Sequence, residues 1–350
     1  MYKILVLNPG STSLKFAVYR DEKQVLNKTI RFTTEQLQQI ADPDARVTIS
    51  TDLIVSALYE HSMSVGDFDC VMSRGGVLGK VNTGAYAIDE KMVDFVLHSP
   101  ARTHSVGVLI AYNMTRDSGK PCYSYDAVTA DEWEPLCKVS GIKGYSKPAQ
   151  QHTLNTRQVA RQVAEDMGKT FESTNIIVSH LGGGIDTTFF KNGHIVETLG
   201  YNELGFSTDR CGAVHFNDLL KMTKNSTAAE LQPLNRGKGG LMSHLGTASV
   251  EEVEKMIEDG DEYAALVLEA MAYRVAQCIG AGAVALAGKV DAIVLTGGIA
   301  YSKRFTDWII DRVGFLGKVV LLPGELETQA LAAGALRVLR GEEQAKTFDR

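Results

Sequence analysis

One pattern occurs twice along the chain, and it restricts the fold more than any other feature. Near the start, the apolar run Lys3–Leu7 leads into the turn Pro9-Gly10-Ser11-Thr12-Ser13. The extended stretches Leu14–Tyr19 and Gln24–Phe32 follow, with a polar turn, Arg20–Lys23, between them. Far downstream, Asn175–Leu181 leads into Gly182-Gly183-Gly184, then Ile185–Phe190, the hairpin turn Lys191-Asn192-Gly193, and His194–Leu199. Short apolar runs bounded by Gly, Ser and Asn read as strands joined by tight turns. A second pair of segments matches as well. Phe68–Ser73 runs into Arg74-Gly75-Gly76 and Val290–Thr296 runs into Gly297-Gly298, with Asp69 and Asp291 near the two starts. Repetition at matching places predicts an internal duplication of an α/β domain.

The length of 350 residues agrees, because it exceeds what one hydrophobic core usually serves. The expected boundary lies in the Gly-, Ser- and Pro-containing stretch Gly141–Gln150. The first domain is then 1–150, joined by the C-terminal segment 327–350, and the second is 151–326. Helices fill the gaps. Asn155 is expected to cap a helix over Thr156–Met167. Ser249-Val250-Glu251-Glu252 fits a capping box opening a helix through Ile257. Asp261 to Leu286 reads as a long helix whose small residues, Cys278–Ala283, permit close packing. Glu327–Arg340 reads as the last helix, and the polar tail after Gly341 is expected to fray.

Composition excludes several classes. The formal net charge is -6 and no Lys/Arg cluster stands out, so the basic footprint of a nucleic-acid binder is missing. The most apolar long stretch, Ala276–Leu295, is interrupted by Lys289 and Asp291, which argues against a membrane span. MYKILVLNPG lacks the parts of a signal peptide. The five cysteines (Cys70, Cys122, Cys137, Cys211, Cys278) are odd in number and form no CxxC. They read as buried free thiols of a cytoplasmic protein rather than disulfides or zinc ligands.

Three turns could hold phosphate: Asn8–Ser13, Gly182–Gly184 and Gly297–Gly298. A triphosphate needs backbone N–H donors that come close, which favours Gly and Ser in tight turns. The first turn adds the hydroxyls of Ser11, Thr12 and Ser13, with Lys15 just inside the next strand. Each turn alone reads more readily as a plain hairpin; the force lies in their repetition in two halves. No GxxxxGK[ST] and no strand–GxGxxG–helix occurs, which excludes a P-loop and disfavours a dinucleotide fold.

At these residues the chain resembles the butyrate kinases, in the acetate kinase branch of the superfamily of sugar kinases, actin and the heat-shock ATPases. NPGSTSLK at Asn8–Lys15, SHLGGG at Ser179–Gly184 and LTGGIAYSKRF at Leu295–Phe305, which includes Ile299, resemble its three nucleotide loops. HTLN at His152–Asn155 and PGELETQALAAGALRVLRGEE near the C-terminus also fit. The resemblance covers nearly the whole chain. It implies duplicated ribonuclease H-like (actin-like ATPase) domains with an interdomain nucleotide cleft, ATP/ADP and Mg²⁺, and a short-chain carboxylic acid or its acyl phosphate as substrate. A homo-oligomer, dimer or higher, is expected.

Transfer of a phosphoryl group to a carboxylate needs no general base, since the acceptor is already ionised near neutral pH. It needs positive charge between two anions, which arginine supplies in fork geometry. Arg74 sits between a buried strand and Gly75-Gly76, either in a surface ion pair or facing a cleft. Arg210 lies in the polar loop Ser207–Gly212. The resemblance makes both arginines contact the substrate carboxylate and the transferred phosphoryl group. His180, beside the triple-Gly turn, is either a satisfied core histidine or a donor to phosphoryl oxygens. His104 is either a plain helix-start residue or, by resemblance, a second active-site histidine. Asp126 follows the strand Cys122–Tyr125; the resemblance makes it a cleft carboxylate that orients an arginine or a metal-bound water. Asn8 and either Glu325 or Glu327, with Glu327 preferred, are implied for Mg²⁺; carboxylates complementing a helix N-terminus explain the glutamates nearly as well.

One stretch departs from the pattern. Tyr201-Asn202-Glu203-Leu204-Gly205-Phe206-Ser207 stands where butyrate kinases carry an acidic, Gly-rich run ending in Pro-Phe-Ser, which puts the acid's identity in doubt. Phe206 is a candidate for the acyl pocket, with an ordinary core aromatic the stronger reading. The expected reaction is butyrate plus ATP giving butyryl phosphate plus ADP. The rivals are an acetate kinase, a longer family with extra His and Val residues around the position of Arg74, and a non-catalytic nucleotide-binding regulator of the same fold. A sugar kinase fits less well, because no base can be placed for a sugar hydroxyl.

Overall fold

A computed structural model describes residues 1–10, 13–200 and 203–349. Ser11, Thr12, Tyr201, Asn202 and Arg350 lie outside the described residues. The chain divides into two compact units: 1–131 with 148–154 and 326–350, and 132–147 with 155–325. The stretch 132–147 thus packs with the second unit. Glu134 N–H donates to Val196 O at 3.1 Å, and Lys147 Nζ meets Glu197 at 3.1 Å.

The first unit contains β1 (Lys3–Pro9), β2 (Ser13–Arg20), β3 (Lys23–Arg31), β4 (Cys70–Arg74), β5 (Ala85–Ala87) and β6 (Cys122–Tyr125). They form one sheet in the order β3-β2-β1-β4-β6-β5. The first three strands are an antiparallel meander. β4 joins β1 in parallel and β6 joins β4 in parallel. The second unit contains β7 (Asn175–Leu181), β8 (Ile185–Lys191), β9 (His194–Gly200), β10 (Ala292–Gly297) and β11 (Val319–Pro323), ordered β11-β10-β7-β8-β9. Again a meander is extended by parallel strands added beside its first strand. The two sheets share this build, with β5 as an added edge in the first. This is the expected duplicated ribonuclease H-like topology. Central parallel strands are covered on both faces, which is why Ile4, Leu5, Val6 and Leu7 run without alternation and are fully buried.

The repeated aspartates have a structural reason. Asp69 N–H donates to Lys3 O at 2.8 Å, and its carboxylate accepts Lys3 N–H at 2.7 Å. Asp291 makes the same two bonds with Asn175, at 2.8 Å and 2.7 Å. Each aspartate therefore closes the start of the central parallel pair of its sheet. At Asp291, burial works against the charge, but the Lys169 ammonium and the Asn175 amide outweigh it and hold the carboxyl below its ordinary pKa.

The hairpin turn after β8 places Asn192 and Gly193 at φ of 50° and 77°, the paired left-handed residues that a tight hairpin needs. The long helix Glu262–Ala285 packs closely on the second sheet; a Cβ on Gly282 would lie 2.5 Å from the Phe189 ring. Among the described residues this is the one helix long and apolar enough to cross a membrane, and half of its apolar stretch is buried within its unit. The five cysteines are free; Cys70, Cys122 and Cys278 are buried, and Cys137 and Cys211 half-buried. Burial pushes the Cys70 and Cys278 thiols up to about 12.

Three local expectations are corrected. The helix expected from Thr156 starts at Thr153, so Asn155 is inside it and fully buried rather than a cap. Ser249 does cap its helix by accepting Glu252 N–H, but the Glu252 carboxylate takes the Thr247 hydroxyl and no box closes. The C-terminal tail does not fray: Lys346 pairs with β5, and Phe348 is 1% exposed with its ring edge-on to Phe95.

Candidate active site

In the first unit the candidate residues gather at the ends of β1, β4 and β6. Asn8, near the end of β1, is 5% exposed. Its amide donates to Glu327 Oε2 at 2.5 Å, and it stands opposite Lys15 in the strand register. Gly10 N–H donates to Ser13 O at 2.8 Å, closing the first small-residue turn. Glu327 thus meets the other candidate metal ligand, whereas Glu325 belongs to the second unit.

Arg74 ends β4, half-buried. Neither a hydrogen bond nor an ion pair engages its guanidinium among the described residues, so the surface ion pair is not what holds it. Two glycines draw its neighbours in. A Cβ on Gly75 would lie 2.6 Å from Ala127 Cα, and one on Gly76, at φ +64°, would lie 2.4 Å from His104 O. The backbone beside Arg74 therefore lies against the residue that follows Asp126 and against His104 itself. His104 closes a short 3-10 turn, Arg102–His104, ahead of the helix Val106–Thr115, and it is exposed.

Asp126 is 3% exposed and its φ is +45°. The left-handed region costs a non-glycine residue roughly 1–2 kcal/mol, and such strain clusters at functional sites. Asp126 is held there by Gly84, whose N–H donates to Oδ1 at 2.7 Å and whose carbonyl accepts Asp126 N–H at 3.2 Å.

In the second unit, His180 lies on β7 and is 3% exposed. Its Nδ1 is 3.0 Å from the Asn155 side-chain nitrogen. An amide nitrogen only donates, so Nδ1 accepts and the ring proton sits on Nε2. A Cβ on Gly182 would lie 3.1 Å from that Nε2, which places the donor at the triple-glycine turn. Arg210 reaches the same turn: a Cβ on Gly184 would lie 2.7 Å from its Nη1. Ser207 Oγ donates to Gly183 O at 2.6 Å, tying the Arg210 loop to the turn.

Gly297 and Gly298 differ in kind. Gly297 is at φ +91°, and its N–H is committed to Gly324 O at 2.9 Å. Gly298 is exposed, and a Cβ there would meet open space. Gly182, Gly183, Thr208, Gly298, Ile299 and Glu325 help to line a cavity of about 420 Å³, within the range of small-ligand pockets. Phe206 is half-buried against the core of this unit, its ring 6.3 Å from that of His244.

Two residues of interest escaped the sequence reading. Asn155 was within reach, since HTLN had been singled out as a motif, but its polarity looked like a cap. Arg46 gave no signal. It is 9% exposed, and burial pulls its pKa below the ordinary value. It donates to Gly10 O at 2.5 Å and reaches Thr103 O at 3.5 Å, linking the first small-residue turn to the His104 turn.

The acetokinase family matches residues 136–323. Over 353 aligned residues, 99% of each chain, the protein is 39% identical to the probable butyrate kinase of Thermotoga petrophila. The chain belongs to the acetokinase family. Solved structures agree on the fold of this acetokinase. The acetate kinase of Porphyromonas gingivalis superposes with a TM-score of 0.81 at 20% identity, covering 97% of this chain and 100% of that one. A propionate kinase of Francisella tularensis subsp. tularensis SCHU S4 gives 0.78 at 18% identity, covering 95% and 98%. The acetokinase fold is the duplicated actin-like ATPase fold, and its members are kinases, which implies ATP as phosphoryl donor.

Proposed function

We propose that this acetokinase is a butyrate kinase: it transfers the γ-phosphoryl group of ATP to the carboxylate of a short-chain fatty acid, and the reverse. The observation that carries the reading is the 39% identity over the full length to a probable butyrate kinase. The geometry within each unit supports it. In the forward direction a carboxylate oxygen forms a bond to the γ-phosphorus while the bond from that phosphorus to the bridging β-γ oxygen breaks. The electron pair stays on ADP, and no proton has to move. The protein's task is positioning and charge neutralisation. Arg74 presents a guanidinium that no carboxylate among the described residues claims, which suits a substrate carboxylate. Arg210, seated on the backbone of Gly184, suits the transferred phosphoryl group, and His180 Nε2–H adds a neutral donor at the same turn. Gly182, Gly183 and Gly298 supply close backbone approach, and the adjoining cavity suits the nucleoside.

Asn8 and Glu327 fit a magnesium ion by the chemistry of their donors. Both offer oxygen ligands, and Mg²⁺ on a nucleotide keeps its waters and takes few protein groups. When bound, the ion neutralises phosphate charge. Asp126 orients an arginine or a metal-bound water. The protein acts in the cytoplasm as a homo-oligomer.

The acid should be of about four or five carbons. Each methylene in an apolar pocket is worth about 10- to 200-fold in specificity, so butyrate should exceed acetate in kcat/KM by about 100-fold or more. A panel of acetate, propionate, butyrate, isobutyrate and valerate decides it. Acetate equal to or better than butyrate would move the assignment to acetate kinase.

A further inference from the structure

The docked C-terminal tail reaches Asp126 through a short chain of contacts. Lys346 N–H donates to Ala85 O and Lys346 O accepts Ala87 N–H, each at 2.9 Å. Lys346 Nζ donates to Thr83 O at 2.7 Å. Glu343 takes Ala85 N–H on Oε1 at 2.8 Å. On Oε2 it accepts the Tyr125 hydroxyl at 3.0 Å and Arg337 Nε at 3.2 Å. Arg337 also donates to the Tyr125 hydroxyl, and a Cβ on Gly334 of the same helix would lie 2.7 Å from the Tyr125 ring.

Gly84 lies between these groups and the active-site carboxylate. Its φ is +98°, and a Cβ there would lie 2.5 Å from Glu343 Oε1 and 2.8 Å from Lys346 Nζ. On its other side it exchanges two hydrogen bonds with Asp126. Tyr125, held by Arg337 and Glu343, directly precedes Asp126 in the chain. The left-handed backbone of Asp126 is therefore fixed from two directions by residues more than two hundred positions later.

We propose that the tail is a positioning device for the reaction: Glu343 and Lys346 fix Thr83-Gly84-Ala85, Arg337 and Glu343 fix Tyr125, and these two segments fix the Asp126 carboxylate. The inference rests on the reading of Asp126 as an active-site group. Glu343, Arg337 and Lys346 are positioning residues, acting through Gly84 and Tyr125.

The test is a double-mutant cycle with three readouts: kcat, KM for ATP and butyrate, and thermal midpoint. Lys346→Met keeps a side chain of similar length while removing the ammonium that lies over the Tyr86 ring and donates to Thr83 O, and the Glu343 carboxylate keeps Arg337 as its partner. Glu343→Gln keeps the shape but weakens the Arg337 and Tyr125 contacts. Each should lower kcat by about 10- to 100-fold, the scale of a small misplacement at a reacting centre, with KM for ATP unchanged. In an Asp126→Asn background neither should lower kcat further, because coupled residues do not add. Tail variants with parental kcat and a lowered thermal midpoint would overturn the inference, as would losses that multiply with that of Asp126→Asn. Parental kcat in Asp126→Asn itself would instead remove the reading of Asp126, and the inference with it. Should Glu343→Gln not fold, Lys346→Met decides the matter alone.

Discussion

Arg210→Ala and Arg74→Ala should each lower kcat by about 100-fold or more, the scale for removing a preorganised charge stabiliser, while the protein stays folded. The structure gives the reason for the second half of that expectation. The Arg74 guanidinium makes no ion pair or hydrogen bond among the described residues, so losing the side chain leaves the backbone pairing of β4 with β6 in place. Arg210 lies against glycine backbone rather than in a hydrophobic cluster. Its neighbour Asp209 approaches Nε only to 3.6 Å. Lysine at either position should rescue poorly, because one ammonium cannot reproduce the planar fork. Steady-state kinetics on the four variants, with circular dichroism as the folding control, reads this directly. Near-parental rates with unchanged affinities for ATP and acid would remove the charge clamp from the account.

Gly297→Ala should act on stability, with a loss of about 3 kcal/mol or more, the range that marks a specific steric or backbone conflict. Two effects combine there. The backbone sits at φ +91°, and a Cβ would lie 2.4 Å from Leu181 O, the last residue of the neighbouring strand. Leu181 cannot yield easily, because β7 is hydrogen-bonded to β8 and β10 on either side. Gly298→Ala, one residue on, meets open space and should leave stability unchanged while weakening ATP binding. Thermal unfolding of the two variants separates a glycine needed for the turn from one needed for the ligand. Equal midpoints for both would show that β7 and β10 have more freedom than their packing implies.

Much of this architecture was legible from the chain because the same strand pattern occurs twice. A single Gly-Gly after an apolar run says little; Arg74-Gly75-Gly76 and Gly297-Gly298, each preceded by an aspartate that turns out to close its sheet, say a good deal. The turn at Gly297 was legible because its left-handed backbone and its closeness to Leu181 demand glycine locally. What escaped depends on contacts made far along the chain. Asn155 has the composition of a helix cap, and only the burial of His180, twenty-five residues later, makes it a partner for a ring nitrogen. Arg46 follows an Asp-Pro helix start, and nothing near it in sequence indicates that its guanidinium ends on Gly10. The tail after Gly341 is polar and reads as frayed. Its anchoring comes from Phe348 meeting Phe95 and from Lys346 meeting an edge strand some 260 positions earlier. Asp126 could be placed at a strand end, but its left-handed backbone depends on the Gly84 hydrogen bonds.

The central claim is that this acetokinase makes an acyl phosphate, and trapping that product is its most direct test. Purified protein is incubated with ATP, Mg²⁺ and butyrate in the presence of hydroxylamine, which converts an acyl phosphate into a hydroxamate. The account predicts butyryl hydroxamate forming in step with ADP, and neither accumulating when butyrate is omitted. ATP binding without hydroxamate from any short-chain acid, or ADP release indifferent to the acid, would contradict it.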